Sequence, residues 1–303
     1  MSNSFFGPVD PAQDAGWGEH PPRKGFFTDT SVCIGCKACE VACKEWNRVP
    51  DDITPWTGDS HDNTRALGAD TWRHVAFVEQ KVPVGSDGAA RSLVQTAAAE
   101  GLAEDAGLAT YQEGDGLRWL MASDVCKHCT DAACLDVCPT GALFRTEFGT
   151  VVVQEDVCNG CGYCVPACPF GVIDQREDDG RVWKCTLCYD RLKDDKEPAC
   201  AQACPTNSIQ FGELDDLRDR AEQRVRQLQD AGLEQAQLYG ADPDDGVGGM
   251  GAFFLLLDEP ETYHLPPDPV DTTRDLGSVW TSAAAAALAL GGALAGAVLW
   301  RRG

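Results

Sequence analysis

Apolar residues in this chain gather in short runs. Residues 26–31 read as a short strand that enters a cysteine loop, and residues 74–82 carry a second strand pattern. Residues 93–108 are alanine-rich and predict a helix, residues 150–154 a β run, and residues 208–211 another short strand. Leu214, Leu217, Ala221, Val225 and Leu228 then recur at helical spacing opposite a face of Arg, Asp and Glu. That pattern predicts an amphipathic helix packed on its own domain. Residues 253–257 read as a buried strand after the glycine turn at 248–251, and Pro260 to Pro269 as a stiff connector. Last comes the uncharged stretch 278–300, ~34 Å long as a helix.

Trp280 and Trp300 stand near the ends of that stretch, ~30 Å apart, and Arg301 and Arg302 close it. It reads as one transmembrane helix in contact with the lipid bilayer. Its alanine run 283–287 and the pair Gly292 and Gly296 predict docking against membrane helices of a partner. The closing arginines predict a cytoplasmic C-terminus, with the rest of the chain on the extracytoplasmic side. Residues 1–27 are Pro/Gly-rich, and they read as an N-terminal extension that is neither signal peptide nor anchor.

Composition changes the picture in two ways. A formal charge of −23 over 303 residues argues against nucleic acid as a partner. The sixteen cysteines then decide the chemistry. They fall into four groups: Cys33, Cys36, Cys39, Cys43; Cys126, Cys129, Cys134, Cys138; Cys158, Cys161, Cys164, Cys168; and Cys185, Cys188, Cys200, Cys204. The first and third read C-x2-C-x2-C-x3-C, the run that holds [4Fe–4S] cubanes in bacterial ferredoxins. Three thiolates two residues apart wrap one cluster, and the fourth ligates the other cluster of a pair, so the groups work in couples. Four groups predict four [4Fe–4S] clusters, a row suited to carrying electrons. Disulfides fit poorly, because the cysteines cluster locally in a chain long enough to need no staples. Zinc ribbons explain C-x2-C pairs but neither the triple cysteines nor the recurrent x3-C-P ending.

Pro139, Pro169 and Pro205 follow the last cysteine of the second, third and fourth groups, while the first has Lys44 there. The spacing predicts that the fourth cysteine opens a helix with the proline in its first turn. Lys37, Lys44, Lys127, Lys184 and Arg191 lie within or beside the groups, placed either to raise cluster potentials or to sit on the surface. His128 reads as an outer neighbour of a cluster or as solvated, and His264 as a surface imidazole. No nucleophile–base pair, phosphate loop or catalytic carboxylate pair stands out, so the chain reads as an electron conduit without its own catalytic residues. The fold class expected is α+β: two ferredoxin-like units with pseudo-twofold pairing of motifs over 28–213, interrupted by an insertion at about 49–116. A helix, strand and connector over 214–277 then lead to the transmembrane helix 278–300.

The run Cys-Ile-Gly-Cys-Lys-Ala-Cys-Glu-Val-Ala-Cys-Lys-Glu-Trp-Asn at 33–47 resembles the four-cluster iron–sulfur subunits of molybdopterin oxidoreductases. The likeness is nearest to the β subunit of membrane-bound respiratory formate dehydrogenases. It extends through Cys-Lys-His-Cys at 126, Cys-Asn-Gly-Cys-Gly-Tyr-Cys at 158, Lys-Cys-Thr-Leu-Cys at 184 and the single C-terminal helix. The motifs are shared with subunits of dimethyl sulfoxide, nitrate and polysulfide reductases, so another molybdopterin reductase or a hydrogenase is the alternative. The resemblance implies a molybdopterin-containing catalytic subunit (Mo or W) that oxidises formate and a membrane cytochrome b subunit that reduces quinone. It also implies export on the catalytic partner's twin-arginine signal. Finally, it implies four ligand sets: Cys33, Cys36, Cys39 and Cys204; Cys126, Cys129, Cys134 and Cys168; Cys138, Cys158, Cys161 and Cys164; and Cys43, Cys185, Cys188 and Cys200.

Overall fold

A computed structural model of the chain describes residues 10–50, 58, 61–62, 64–81 and 117–302. The helix expected over 93–108 and the end of the strand pattern at Val82 lie outside the described residues. The centre of the fold is a four-stranded sheet built from both ends of the cysteine-bearing region. Strand β1 (Lys24–Asp29) pairs antiparallel with β8 (Ile209–Glu213) and parallel with β10 (Ala252–Leu256), and β10 pairs antiparallel with β9 (Gln237–Tyr239). Phe26 and Phe27 are fully buried at its centre, with Phe27 stacked on Phe253 at 5.4 Å.

Two expected boundaries shift as a result. The last residues of the presumed extension, Lys24 to Phe27, belong to the central strand. The segment 214–277, expected to hold a helix, one strand and a connector, supplies two of the four strands. The physical reason is pairing: β1 alone leaves two unsatisfied edges, and β8 and β10 close both.

The amphipathic helix runs Leu214–Asp230 and covers this sheet with Leu214, Leu217, Ala221 and Leu228 buried. Asp215 and Asp216 in its first turn complement the exposed N–H groups there. From the same helix Arg224 reaches the end of β1, with Nε 3.0 Å from Asp29 Oδ2. Asp29 in turn accepts from the N–H and hydroxyl of Ser31 at 2.9 and 2.6 Å. This network fixes the direction in which the chain leaves β1 for Cys33.

The insertion is anchored by its two ends. Strands β2 (Arg73–Lys81) and β3 (Leu117–Val125) pair antiparallel over nine residues each, from Arg73↔Val125 to Lys81↔Leu117. Sequence reading anticipated the first of these and missed the second, which delivers the chain directly to Cys126. Short antiparallel strand pairs complete the cysteine region: β4 (Leu143–Arg145) with β5 (Val151–Val153), and β6 (Asp174–Gln175) with β7 (Val182–Trp183).

The helices in the cysteine groups correct another expectation. Helices Ala133–Asp136, Cys164–Ala167 and Ala199–Gln202 come before the fourth cysteine of their groups, and the proline that follows begins a turn. A proline disfavours helical backbone in the residue ahead of it, so the helix must stop at the cysteine. Cys168, with φ −78° and ψ 115°, is extended as that rule requires. Where Lys44 stands instead of proline, the helix runs through from Ala38 to Asn47.

The C-terminal helix spans Leu276–Arg302, starting slightly before the predicted 278. Over Leu276–Arg301 its mean hydropathy is 1.9, none of it is buried against the rest of the chain, and it is long and apolar enough to cross a membrane.

Candidate functional site

Each cysteine group is shaped by backbone before side chains matter. The second residue after the first cysteine takes a left-handed conformation in all four groups: Gly35 (φ 64°), His128 (φ 46°), Gly160 (φ 71°) and Leu187 (φ 56°). This turns successive N–H groups toward one side of the loop, a concavity that favours anions. Leu187 N–H donates to Cys185 Sγ at 3.3 Å, and the Gly35 N–H lowers the Cys33 thiol in the same way. Glycine at 35 and 160 gave a sequence signal for this turn. His128 and Leu187 gave none, since residues with a Cβ hold it only because they are buried. The turns after the fourth cysteine repeat as well. Gly141, Gly171 and Asn207 have positive φ, and each donates its N–H to the carbonyl of Cys138, Cys168 or Cys204 at 3.3 Å.

All sixteen cysteines are free thiols in the described chain, and only Cys36 and Cys161 are exposed. Tertiary packing regroups them. Helix Ala38–Asn47 packs on helix Ala199–Gln202, bringing the first group to the fourth, and helix Ala133–Asp136 packs on Cys164–Ala167, bringing the second to the third. Burial pushes the Cys43 thiol well up, and the adjoining thiols of Cys185, Cys200 and Cys188 add to it. Cys33 is pushed up to about 11 by burial, against the Gly35 N–H, with Cys39 and Cys204 contributing. Cys129 is raised well above its usual value by burial and then by Cys126, Cys168 and Cys134. Cys164 rises to about 12 by burial, with Cys138, Cys158 and Cys161 as its thiol neighbours. Charge on one thiol is felt across these collections at three pairs: Cys39 with Cys200, Cys185 with Cys126, and Cys134 with Cys164.

Cys138 alone goes the other way. Its slight burial pushes it up, but the N–H of Leu143, the Thr140 hydroxyl, and the N–H groups of Thr140 and Ala142 together hold it below the ordinary thiol value.

The basic residues divide sharply. Lys127, Lys184 and Arg191 are buried, and Lys37 and Lys44 are half-buried. Lys184 donates to the carbonyls of Val151 and, at 3.0 Å, Cys185. Burial pulls its ammonium down, yet the charges of Cys126, Cys134 and Cys185 outweigh that and hold it above the usual lysine value. Lys127 bonds Asp124 and the Val125 carbonyl, and lies 5.1 Å from the Phe254 ring centre. His264 is exposed, as expected. His128 is buried instead of solvated. Its Nδ1 accepts the Val151 N–H at 3.1 Å, which fixes the proton on Nε2, and that Nε2 has no partner. The ring lines a cavity shared with Cys126, Cys129, Cys134, Cys168 and Lys184.

Sequence reading missed Arg73, which lies one residue ahead of the 74–82 pattern and on the same strand face as Val75. It also missed Ser123, 3.2 Å from Cys39 Sγ, and Asn47, whose side-chain amide lies 3.6 and 3.7 Å from the sulfurs of Cys43 and Cys188.

These features fit an anionic iron–sulfur cluster. Buried cations and an orphaned buried donor lie in the cysteine region, where burial pushes the thiols of Cys33, Cys43, Cys129 and Cys185 up. Among the described residues no three Cys, His, Asp or Glu side chains converge closely enough to hold a single ion. Single-ion zinc sites need such convergence; a cluster several ångströms across separates its ligands.

Residues 117–214 match the 4Fe-4S dicluster domain family, and residues 30–46 the 4Fe-4S binding domain family. The chain is 39% identical over 255 residues to the formate dehydrogenase iron–sulfur subunit of Haemophilus influenzae, covering 83% of this chain and 71% of the relative. The chain belongs to the family of formate dehydrogenase iron–sulfur subunits. Within that family, the nitrate-inducible formate dehydrogenase iron–sulfur subunit of Escherichia coli is 40% identical over 253 residues, 82% of this chain and 74% of the relative. A polypeptide of the anaerobic dimethyl sulfoxide reductase of Escherichia coli is 37% identical over 202 residues, 65% of this chain and 76% of the relative. This member of the formate dehydrogenase iron–sulfur subunit family is therefore an electron-transfer subunit with 4Fe-4S clusters, and the cluster chemistry rests on its cysteines.

Proposed function

We propose that this subunit relays electrons one at a time through four [4Fe–4S] clusters. They run from a molybdopterin subunit that oxidises formate to a membrane cytochrome b subunit that reduces quinone. The observation that carries the reading is helix packing: Ala38–Asn47 on Ala199–Gln202 joins the first cysteine group to the fourth, and Ala133–Asp136 on Cys164–Ala167 joins the second to the third. The proposed ligand sets are Cys33, Cys36, Cys39 and Cys204; Cys43, Cys185, Cys188 and Cys200; Cys126, Cys129, Cys134 and Cys168; and Cys138, Cys158, Cys161 and Cys164. The electrostatic couplings Cys39–Cys200, Cys185–Cys126 and Cys134–Cys164 support a single row of sets in that order. Cys36 and Cys161, the two exposed cysteines, then fall in the sets at opposite ends. Electrons enter and leave such a row where its ends approach the surface, so these ends face the two partners.

The helix Leu276–Arg302 supports membrane attachment beside the quinone-reducing partner, through the small face around Gly292 and Gly296. Arg301 and Arg302 support a cytoplasmic C-terminus with the cluster region outside. The test is anaerobic extraction in mild detergent. About sixteen irons per chain, and co-purification of a molybdopterin polypeptide and a haem polypeptide, are expected. A preparation with zinc in place of iron, or one that travels with a different catalytic subunit, overturns the corresponding half of the reading.

A further inference from the structure

Arg73 is a buried cation with no carboxylate partner among the described residues. It lies on β2, outside every cysteine group, and is 2% exposed. Its Nη1 donates to the carbonyl and hydroxyl of Ser123 at 3.2 and 3.1 Å. The guanidinium carbon sits 4.9 Å from the centre of the Phe26 ring. Nε and Nη2 are buried without an oxygen or nitrogen partner, the Cys200 thiol is the acceptor within the guanidinium's reach, and no ion pair to a carboxylate forms among the described residues. Lys127 and Lys184 differ, because backbone oxygens or Asp124 satisfy their ammonium groups.

A lone guanidinium in a protein interior is strongly disfavoured, so its retention calls for a negative partner. Ser123 Oγ links the side chain to Cys39 Sγ, and negative charge on Cys200, Cys39, Cys185 or Cys43 would favour the protonated guanidinium. Those four cysteines belong to two of the proposed sets, which the packing of helix Ala38–Asn47 on Ala199–Gln202 brings side by side. Ser123 bonds both Arg73 and Cys39, and so clamps the cation on the seam between them.

We propose that Arg73 is a positioning residue that serves as the shared counter-cation of two adjacent clusters, those of the Cys33/Cys36/Cys39/Cys204 and Cys43/Cys185/Cys188/Cys200 sets. Reduction adds one electron, and thus one negative charge, to a centre already anionic with its four thiolates. A permanently protonated guanidinium beside it lowers the cost of that charge without taking up a proton. Removing Arg73 therefore makes both clusters harder to reduce and leaves the other two unchanged.

The inference rests on the ligand sets above, and the test separates the two. Arg73→Gln, Arg73→Lys and a control, Arg118→Gln, are made in the intact complex, prepared anaerobically. Arg118 is a buried arginine paired with Asp258, away from the cysteines. Iron per chain is counted and the clusters are titrated with dithionite, followed by electron paramagnetic resonance. At the wild-type midpoints of two clusters, Arg73→Gln is expected to lower the ratio of reduced to oxidised about tenfold, about 59 mV per electron. Arg73→Lys is expected to keep the iron and most of the potential, and Arg118→Gln to shift nothing. An iron-complete Arg73→Gln protein with all four midpoints unmoved, or with all four moved alike, overturns the proposal. If Arg73→Gln fails to load iron, Arg73→Lys decides: loss of iron there too overturns it. A wild-type complex with fewer than about sixteen irons refutes the ligand sets instead, whatever Arg73 does.

Discussion

Gly160 offers a quantitative test of how the cysteine loops are built. Its φ of +71° lies in the left-handed region, and a Cβ placed there would sit 2.3 Å from the Gly180 carbonyl oxygen and 3.2 Å from its carbon. The neighbour is backbone and cannot swing aside. Gln175 tethers the two segments further, its Nε2 donating to the Gly160 and Gly180 carbonyls at 2.6 and 2.7 Å. In Gly160→Ala the left-handed backbone costs about 1–2 kcal/mol and the overlap about 1–3 kcal/mol more, ~2–5 kcal/mol in all. Gly141 is the control, with φ +68° and nothing within 4 Å of its Cβ position. Gly141→Ala should lose only the backbone contribution, about 1–2 kcal/mol. Heating the anaerobic proteins while following visible cluster absorbance, with iron counted beforehand, separates the two. Gly160→Ala is expected to bleach at a midpoint several degrees below Gly141→Ala, at roughly 2–4 °C per kcal/mol. Equal midpoints for the two variants refute the claim that close approach of the two backbones, rather than conformation alone, demands glycine at 160.

Lys44→Pro is expected to end helix Ala38–Asn47 at Cys43, at a cost of ~3 kcal/mol or more, and to release iron from the two sets containing Cys39 and Cys43. A full iron complement at normal midpoints would count against it. Iron binding should be linked to protons. Burial holds Cys33 up to about 11 and Cys185 up to about 12, so these thiols are protonated at neutral pH, whereas iron takes thiolates. Apparent affinity therefore rises with pH through the neutral range, and acid favours the iron-free form. In the iron-free fold the sign reverses, since stability tied to the neutral thiols is present below the unfolded value of 9.0 and is lost as pH rises toward about 11. Proton release on reconstitution and thermal melts of iron-free protein check both signs. Truncation after Asp275 removes a helix that buries nothing against the remaining chain. Cluster melting should be unchanged while sedimentation with membranes is lost, and a truncated protein that still pellets contradicts the anchor.

The amino-acid sequence alone determined the chemistry and marked one helix apolar and long enough to cross a membrane. Ligand spacing in a cubane loop is a local property, so C-x2-C-x2-C was legible without any fold, as were the apolar C-terminal run and the heptad-like stripe from Leu214 to Leu228. Proline chemistry was legible too, although its consequence is that helices end at Cys138, Cys168 and Cys204 instead of starting there. Tertiary structure decided what depends on distant segments. It set Lys24–Asp29 between β8 and β10, and packed helix Ala38–Asn47 against Ala199–Gln202 so that thiols far apart in the chain share a neighbourhood. It also carried Arg73 from a strand beyond the motifs into the space between Cys39 and Cys200. Burial turns a common surface residue into an uncompensated charge, and burial is a sum over the whole fold that no local pattern contains.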